Sequence, residues 1–495
     1  MAIDTTIRNS PGWWLQKGAR KLEYRQKRLT KLSLYHDGNP PLPSGAEASK
    51  GAFNDFQKKA RTNFAELIVG AVRERLAVRS IRTAVDTDGN GDDVAWGIYV
   101  ENNLDIELSD VLENMLALGD GYTITGLDPE DPERVIITGE DPRQVVTIHN
   151  PVRQSEVRAA VKIFHDADEQ KDYAFLYLAG GTRQAADEEG FPLFDEAGRR
   201  VMEDFNARRY VASRDRKARA RALTFSAGSF DWDDDFGGAE GEELGHKVVP
   251  VVRFRNRRGI GEFEPHIDLL DRINHTILQR MVIAAYQAFK QRALQVDDED
   301  MPDEDEDGNA IDYDDLLTAD PGSFIKIPKN ATIWESGQAD MQGILSSIKD
   351  DVQHLAAVTR TPMSVVSPDA VNQSAEGAAL IKEGQVFKTE DKQKRAAAAL
   401  RLMFHIAFLC LGDTERADKQ KIIIDWAPAE RHSLQQKYDA ASKAPASIPS
   451  ETIMTEILQF SPETVALAKS QQMDDALRGA LSGQPTAPAP AANAG

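Results

Sequence analysis

From Glu264 to about Arg292, apolar residues recur every three or four positions: Ile267, Leu270, Ile273, Ile277, Met281, Ala284 and Ala288. Asp268, Asp271, Arg272, Arg280, Lys290 and Gln291 largely take other angles of the wheel, so the pattern predicts an amphipathic helix with one face in want of a partner. At the helical rise it is about 40 Å long, suited to lining a passage or bridging two layers. A long core helix carries the same signature. The pattern lapses in the acid block Asp297 to Asp307 and resumes near Met341, where Ile344, Leu345, Ile348, Val352, Leu355 and Val358 predict a return helix ending at Thr361-Pro362. Between them, Ser323 to Pro328 and Ala331 to Ser336 predict two short strands around a Pro-Lys-Asn turn. Two struts thus carry a small β module at their tip.

Upstream, Trp13 to Tyr35 predicts a basic helix stopped by Asn39-Pro40-Pro41-Leu42-Pro43. Phe53, Phe56, Ala60, Phe64, Leu67, Ile68 and Ala71 predict one further core helix, with Arg73, Arg75 and Arg79 near its end. Ala84 to Asp93 has the chemistry of a turn, and Ser109 to Leu118 that of a short helix closed by Gly119. From Arg134 to Phe254 the texture is that of an antiparallel sheet: Val135 to Thr138, Val145 to His149, Val157 to Phe164, Tyr173 to Leu178, Arg209 to Ala212 and Val248 to Phe254. Ala185 to Arg199 and Ser229 to Gly245 have the character of exposed insertions. Beyond Met363 to Gln373, a loop, a long helix is expected from about Ser374 through Leu411, broken or softened near Gly384. Ile422 to Leu481 is expected to be helical, with Ser461-Pro462-Glu463 as a helix start, and Gln484 to Gly495 to be disordered.

Composition narrows the classes. The 495 residues, 41% hydrophobic and 28% charged, are enough for two to four domains. No apolar run reaches the length of a membrane span, and Met1 to Ser10 lacks a secretory apolar segment, so a soluble protein synthesised in the cytosol is expected. The single Cys410 excludes an internal disulfide, and its apolar setting predicts a buried filler. A net charge of −21 argues against static gripping of duplex DNA. It suits a surface past which DNA slides. The charge is uneven: Met1 to Ser80 holds fifteen Lys plus Arg against seven acids, whereas Asp297 to Asp320 holds thirteen acids and no base. Arg253, Arg255, Arg257 and Arg258 form a basic cluster that faces either phosphate or, by preference, solvent at a strand end.

Catalytic motifs are absent: no G-x-x-x-x-G-K-[ST], H-E-x-x-H or G-x-S-x-G, and the nine histidines lack ligand spacing. Asp303-x-Asp305-x-Asp307-Gly308 copies the start of an EF-hand loop but has Asp314 where the bidentate Glu belongs, which favours a solvated acidic loop. Asp86-x-Asp88-x-Asn90-Gly91 fails likewise, with Gly97 at its last position. No enzyme activity, metal or cofactor is expected.

The order of parts is nevertheless distinctive. Basic N-terminal helices with Leu34-Tyr35-His36-Asp37-Gly38 and Arg61-Thr62-Asn63-Phe64 precede a β-rich body. Pro250-Val251-Val252-Arg253-Phe254 then enters a long helix, a β tip and a returning helix, and Asn372-Gln373-Ser374-Ala375-Glu376-Gly377 opens the next. From about Trp13 to Asp474 the chain resembles the Gp6-like portal proteins of long-tailed bacteriophages. The resemblance implies an α+β portal fold: a wing over 1–261, a first stem helix over 262–294, a clip over 295–340 and a second stem helix over 341–360. The tunnel loop and long wing helix then occupy 361–420, a helical crown 421–482 and a disordered tail 483–495.

It further implies a ring of twelve subunits at one capsid vertex of the virion, assembled in the host cytoplasm and passing double-stranded DNA without tight binding. The implied partners are the major capsid protein, a scaffolding protein, the terminase large subunit and the head-tail adaptor, with no membrane. Carried over by position, Val365, Val366, Ser367, Asp369, Val371, Asn372 and Gln373 fall in the tunnel loop. Asp303, Asp305, Asp307, Asp312, Lys326, Lys329 and Trp334 fall in the docking clip, and Ile267, Leu270, Ile277, Met281, Ile348 and Val352 on stem faces that pack between subunits. Head-to-tail contacts between oblique amphipathic helices close such a ring without self-complementary patches. Two alternatives stay open at this level: a nucleotide- or metal-dependent enzyme using the Asp-rich segment for Mg²⁺, and a capsid or scaffolding protein that assembles without a channel.

Overall fold

The computed structural model describes residues 2–43, 52–85, 91–185, 193–195, 199–216, 223–288, 292–295, 332–335, 341–366, 375–430, 434–445, 447–460 and 462–482. In chain order the first elements are α1 (Pro11–His36), α2 (Ala52–Lys59), α3 (Phe64–Arg73), β1 (Val78–Arg82), α4 (Asp93–Glu101) and α5 (Leu104–Leu118). The strands β2 (Asp120–Leu127), β3 (Val135–Glu140), β4 (Val145–His149), β5 (Val157–Asp166), β6 (Lys171–Leu178), β7 (Gly181–Gln184), β8 (Met202–Phe205) and β9 (Arg208–Asp215) follow. After β10 (Asp231–Trp232), β11 (Glu242–Glu243) and β12 (Val251–Arg255) come α6 (Ile267–Ala288), β13 (Arg292–Gln295), β14 (Thr332–Glu335) and α7 (Met341–Thr359). The remainder is α8 (Met363–Val366), α9 (Ala375–Cys410), β15 (Ile423–Trp426), α10 (Leu434–Ser442), α11 (Ser450–Thr452), which runs into a π-turn, and α12 (Pro462–Ser482).

Two units divide the chain, one of 1–40, 63–267 and 355–495, the other of 41–62 and 268–354. The first is built on antiparallel sheets: a six-stranded one ordered β10-β9-β6-β5-β4 with β11 also on β9, and a three-stranded one ordered β12-β2-β3. Ser10 caps α1 by accepting from the Trp13 amide, and Pro11 fills the first turn, whose free amide has no partner to lose. The helix lays Leu15, Ala19 and Leu22 on Val146, Val161, Ile163 and Leu176 of the six-stranded sheet, where Phe230 and Trp232 complete the layer. A Cβ on Gly18 would come within 2.3 Å of Val161 Cγ2, so the close approach of α1 to β5 depends on that glycine. Tyr122, Val145, Ala160, Tyr177, Val249 and Val251 form a second core cluster.

Several expectations change here. The single helix expected over Phe53 to Ala71 is two, because Asn63 takes a capping conformation and accepts from the Glu66 amide while donating to the His36 carbonyl. The turn over Ala84 to Asp93 ends in a helix that the sequence reading misses: Asp92 caps α4 through the Val94 and Ala95 amides, and α5 starts well before Ser109. Ser229 to Gly245 is not wholly an exposed insertion, since Phe230 and Trp232 are buried. Gly384 neither breaks nor ends α9, which is continuous over Ala375–Cys410. The segment expected to be helical from Ile422 opens with β15, which pairs antiparallel with β1 and places Asp425 beside Arg82 at 2.7 Å.

In the second unit, α6 ends at Ala288 and Arg292–Gln295 is a strand, paired with β14 in the register Arg292↔Glu335 and Ala293↔Trp334. The strand expected over Ala331 to Ser336 is therefore present, with the end of the first strut as its partner. Ser323 to Pro328 lies outside the described residues. Arg272 of α6 makes a two-pronged contact with Asp351 of α7 at 2.6 and 3.1 Å, and Asn274 accepts from the Thr62 amide at 3.0 Å.

Candidate functional site at the helix junction

The chain enters α6 through a tight turn that follows β12. The Asn256 side chain donates to the Ile260 carbonyl at 2.7 Å and to Glu262 at 2.8 Å, and the Glu262 amide donates to the Leu116 carbonyl of α5 at 2.8 Å. The Glu262 carboxylate, 10% exposed, meets Lys388 at 2.8 Å and Lys392 at 2.7 Å, two residues one turn apart on α9. Lys392 also donates to Asn256 Oδ1 at 2.8 Å. Burial alone would raise the Glu262 carboxyl, but the two ammonium groups outweigh it and hold it down at about 2. His266, at the mouth of α6, is pushed down by burial and then by the Lys388 charge.

The far strut ends at the same place. Thr359 closes α7 with its hydroxyl on the Leu355 carbonyl at 2.7 Å, and its own carbonyl accepts from Lys388 Nζ at 2.9 Å. The Thr361 amide returns to the Ala356 carbonyl and the Arg360 amide to that of Ala357, a Schellman ending in which glycine normally takes the left-handed position. Arg360 takes it instead, with φ at 54°. Arg360→Gly is expected to raise stability by about 0.5–1 kcal/mol, the relief of left-handed strain being partly offset by the greater freedom of glycine in the unfolded chain. A thermal midpoint at or below that of the unsubstituted protein would show that the arginine side chain has contacts worth more than the strain.

The basic helix α1 turns two of its arginines, Arg25 and Arg28, towards acids of other elements. Arg28 donates to Glu264 at 2.6 Å and to the Gly259 carbonyl at 2.9 Å, tying α1 to the turn that leads into α6. Arg25 meets Asp120 at 2.7 Å and the Tyr122 hydroxyl at 3.1 Å, and Arg253 reaches the other oxygen of Asp120 at 2.7 Å. Lys21 donates to the Thr147 carbonyl at 2.9 Å, and burial, then the Arg253 and Arg25 charges, bring its ammonium down to about 8. Part of the excess of base over acid in the first eighty residues is therefore spent on acids of other elements, through Arg25 and Arg28, while Lys17, Arg20, Lys27 and Lys31 of the same helix stay exposed. Of the expected basic cluster, Arg253 is an ion-pair partner, while Arg255, Arg257 and Arg258 are exposed.

The family model of phage portal proteins, SPP1 Gp6-like, matches residues 20–478. The chain belongs to that family. The match begins inside α1 and ends inside α12, so it takes in the sheets, both struts and the junction that joins them to α9. No curated protein matches the chain. The protein is thus a structural component of the bacteriophage virion concerned with genome packaging, and its α and β content fits the α+β class. Among the described residues no helix is long and apolar enough to cross a membrane, and no group of three His, Cys, Asp or Glu is placed to hold a metal ion.

Against the portal protein's sequence-level site residues, the structure is selective. Ile267 and Leu270 are already buried in the single chain, whereas Ile277, Met281, Ile348 and Val352 keep part of their surface. Val365 and Val366 lie in α8, with Val365 38% exposed; Ser367, Asp369, Val371, Asn372 and Gln373 lie outside the described residues. Trp334 sits on β14, while Asp303, Asp305, Asp307, Asp312, Lys326 and Lys329 lie outside them, as do Asp86, Asp88 and Asn90 and the tail 483–495. Cys410 is half-buried, and burial pushes its thiol up to about 11, which leaves it un-ionised at neutral pH. The sequence reading missed Glu262, Lys388, Lys392 and Asn256. A signal was there, because two like charges at i and i+4 repel on a solvated helix face and are better placed around a shared acid.

Proposed function

We propose that the portal protein assembles as a ring, of twelve subunits in the virion, at one capsid vertex, and that double-stranded DNA is driven in and later leaves through its channel. Membership of the portal family over residues 20–478 is the observation that carries this reading. Two features support it. The struts α6 and α7 retain partly uncovered apolar residues, Ile277, Met281, Ile348 and Val352, with Leu345 and Val358 exposed at 41% and 53%, as helices that pack against neighbouring copies require. The net charge of −21, multiplied around a ring, keeps DNA mobile by repelling phosphate.

On this reading the segment 295–340 docks the terminase large subunit and then the head-tail adaptor, the major capsid and scaffolding proteins meet the sheet-bearing body, and 363–373 narrows the channel. Electron microscopy of the purified full chain, with mass by light scattering, tests it directly: rings with a hole wide enough for duplex DNA are expected, and compact particles or closed shells overturn it. Shortening 366–373 is expected to leave rings intact and to slow packaging by about tenfold or more, a barrier change of roughly 1.4 kcal/mol or more. Full-length genomes packaged at the normal rate by such rings would remove the loop from the mechanism.

A further inference from the structure

Lys388 holds more than stability requires. Lys392, with its side chain only 5% exposed, already balances Glu262, and Asn256 supplies the carboxylate with a further donor. A second buried ammonium costs desolvation, and buried ion clusters of this kind are often replaceable by apolar residues without loss of stability. What Lys388 adds is a geometric link: one Nζ spans the carbonyl that ends α7, at 2.9 Å, and the carboxylate that precedes α6, at 2.8 Å. The α7 carbonyl carries the negative end of that helix, so the ammonium is drawn to it by charge as well as by the hydrogen bond.

The helix that carries Lys388 is itself fixed. Gln385 donates to the Ala71 carbonyl of α3 at 2.7 Å and Gln393 to the Ala427 carbonyl, beside β15, at 3.0 Å, so α9 is pinned on both sides of the lysine. The end of α7 and the entry to α6 are thereby referred to a single rigid element. We infer that Lys388 is a positioning residue of the DNA channel, which sets the end of α7 and the entry to α6 in one register against α9 so that both struts transmit the same displacement while DNA moves. This rests on the reading of the protein as a ring-shaped channel.

The test uses full-length Lys388→Met and Lys388→Arg portal proteins incorporated into proheads with the cognate terminase. Ring yield is read by electron microscopy, packaged DNA by nuclease protection, and local order by hydrogen exchange. Lys388→Met is expected to form rings in normal yield, to package at least tenfold less DNA, and to exchange the Arg360 and Thr361 amides faster while those of β5 are unchanged. Lys388→Arg, which keeps the charge and a donor, is expected to restore a large part of the packaging. Normal packaging by Lys388→Met overturns the inference, as does a packaging loss no larger than the loss of rings. If Lys388→Met forms no rings, Lys388→Gln, too short to span both partners, is read in its place by the same criteria, and failure of both to form rings assigns Lys388 to folding and overturns the inference. Unsubstituted rings that fail to package overturn the channel reading instead, which separates the two failures.

Discussion

Glu262→Gln is expected to lower the thermal midpoint of the portal protein by about 3–5 °C, from a loss of about 3–5 kcal/mol. The amide keeps the size of the side chain and part of its hydrogen bonding, but among the described residues it leaves Lys388 and Lys392, 10% and 5% exposed, with no opposing charge at bonding distance other than Asp391 at 3.8 Å from Lys392. The pH dependence identifies the cause. The folded Glu262 carboxyl sits at about 2 against an ordinary 4.5, so the folded state releases its proton more readily than the unfolded one. The stabilisation is fully present above pH 4.5 and is lost as pH falls towards 2, and the interval corresponds to about 3 kcal/mol. The gap in midpoint between the unsubstituted protein and the variant should therefore be level from pH 5 to 8 and close on acidification. An unchanged midpoint at neutral pH would show that the lysines find solvent without Glu262. Replacing Glu262 by Leu together with Lys388 and Lys392 by Met is expected to recover most of the loss, since it removes the desolvation cost along with the attraction.

The elements legible in the sequence are those whose signal is local. The helices α1, α6 and α7 announce themselves by apolar spacing, and Val145–His149 by its unbroken run between turns, because one buried face fixes the period wherever the partner lies. The misses share a non-local cause. Val78–Arg82 becomes a strand because Ile423–Trp426 pairs with it from the far end of the chain, and Arg292–Gln295 leaves the helical pattern because Thr332–Glu335 offers it a ladder. Asp93–Glu101 has Ala95, Ile98 and Tyr99 inside and Val94 and Val100 outside, so apolar residues surround the helix and the period vanishes.

Charged side chains misled in one direction. Arg25, Arg28, Lys388 and Lys392 occupy what a helical wheel presents as polar faces, and those faces prove to be seams between elements, closed by Asp120, Glu264 and Glu262. The site was half visible for the same reason. The sequence locates both struts and the Thr361-Pro362 stop, while the contacts that join the entry of α6 to α9 are between residues more than a hundred apart, such as Lys392 with Asn256. Local charge balance is thus only a partial guide to surface charge in this chain: Arg25 and Arg28 of the basic N-terminal helix pair with Asp120 and Glu264, while Lys17, Arg20, Lys27 and Lys31 remain exposed.

Asp120→Asn is expected to cost about 3–5 kcal/mol, because it strands two guanidinium groups in the fold rather than merely removing one contact. Asp120 begins β2 directly after Gly119, which ends α5 with φ at 92°, and a Cβ at that glycine would lie 2.4 Å from the Gly259 carbonyl; the carboxylate is therefore held in place by backbone with little freedom to adjust. Its side chain is 4% exposed, and those of Arg25 and Arg253 are 12% and 19%. Both arginines would be left with their charge nearly dry, Arg25 still donating to the Tyr122 hydroxyl at 3.1 Å. Lys21 makes the loss depend on pH. Its ammonium is brought down to about 8 by burial and by these same arginines, with Asp120 opposing them. The folded state therefore binds that proton more weakly than the unfolded chain, so the lysine weakens the fold below pH 8 and the deficit fades as pH rises towards 10.5. Without Asp120 the repulsion among Lys21, Arg25 and Arg253 is unopposed, and the lysine should give up its proton at lower pH still. The midpoint of the variant is accordingly expected to lie furthest below that of the unsubstituted protein at pH 6 and to draw closer by pH 10. A deficit equal at both values would place Lys21 outside the field of the cluster, and no deficit at either would show that α1 is held to the sheets by its apolar face alone.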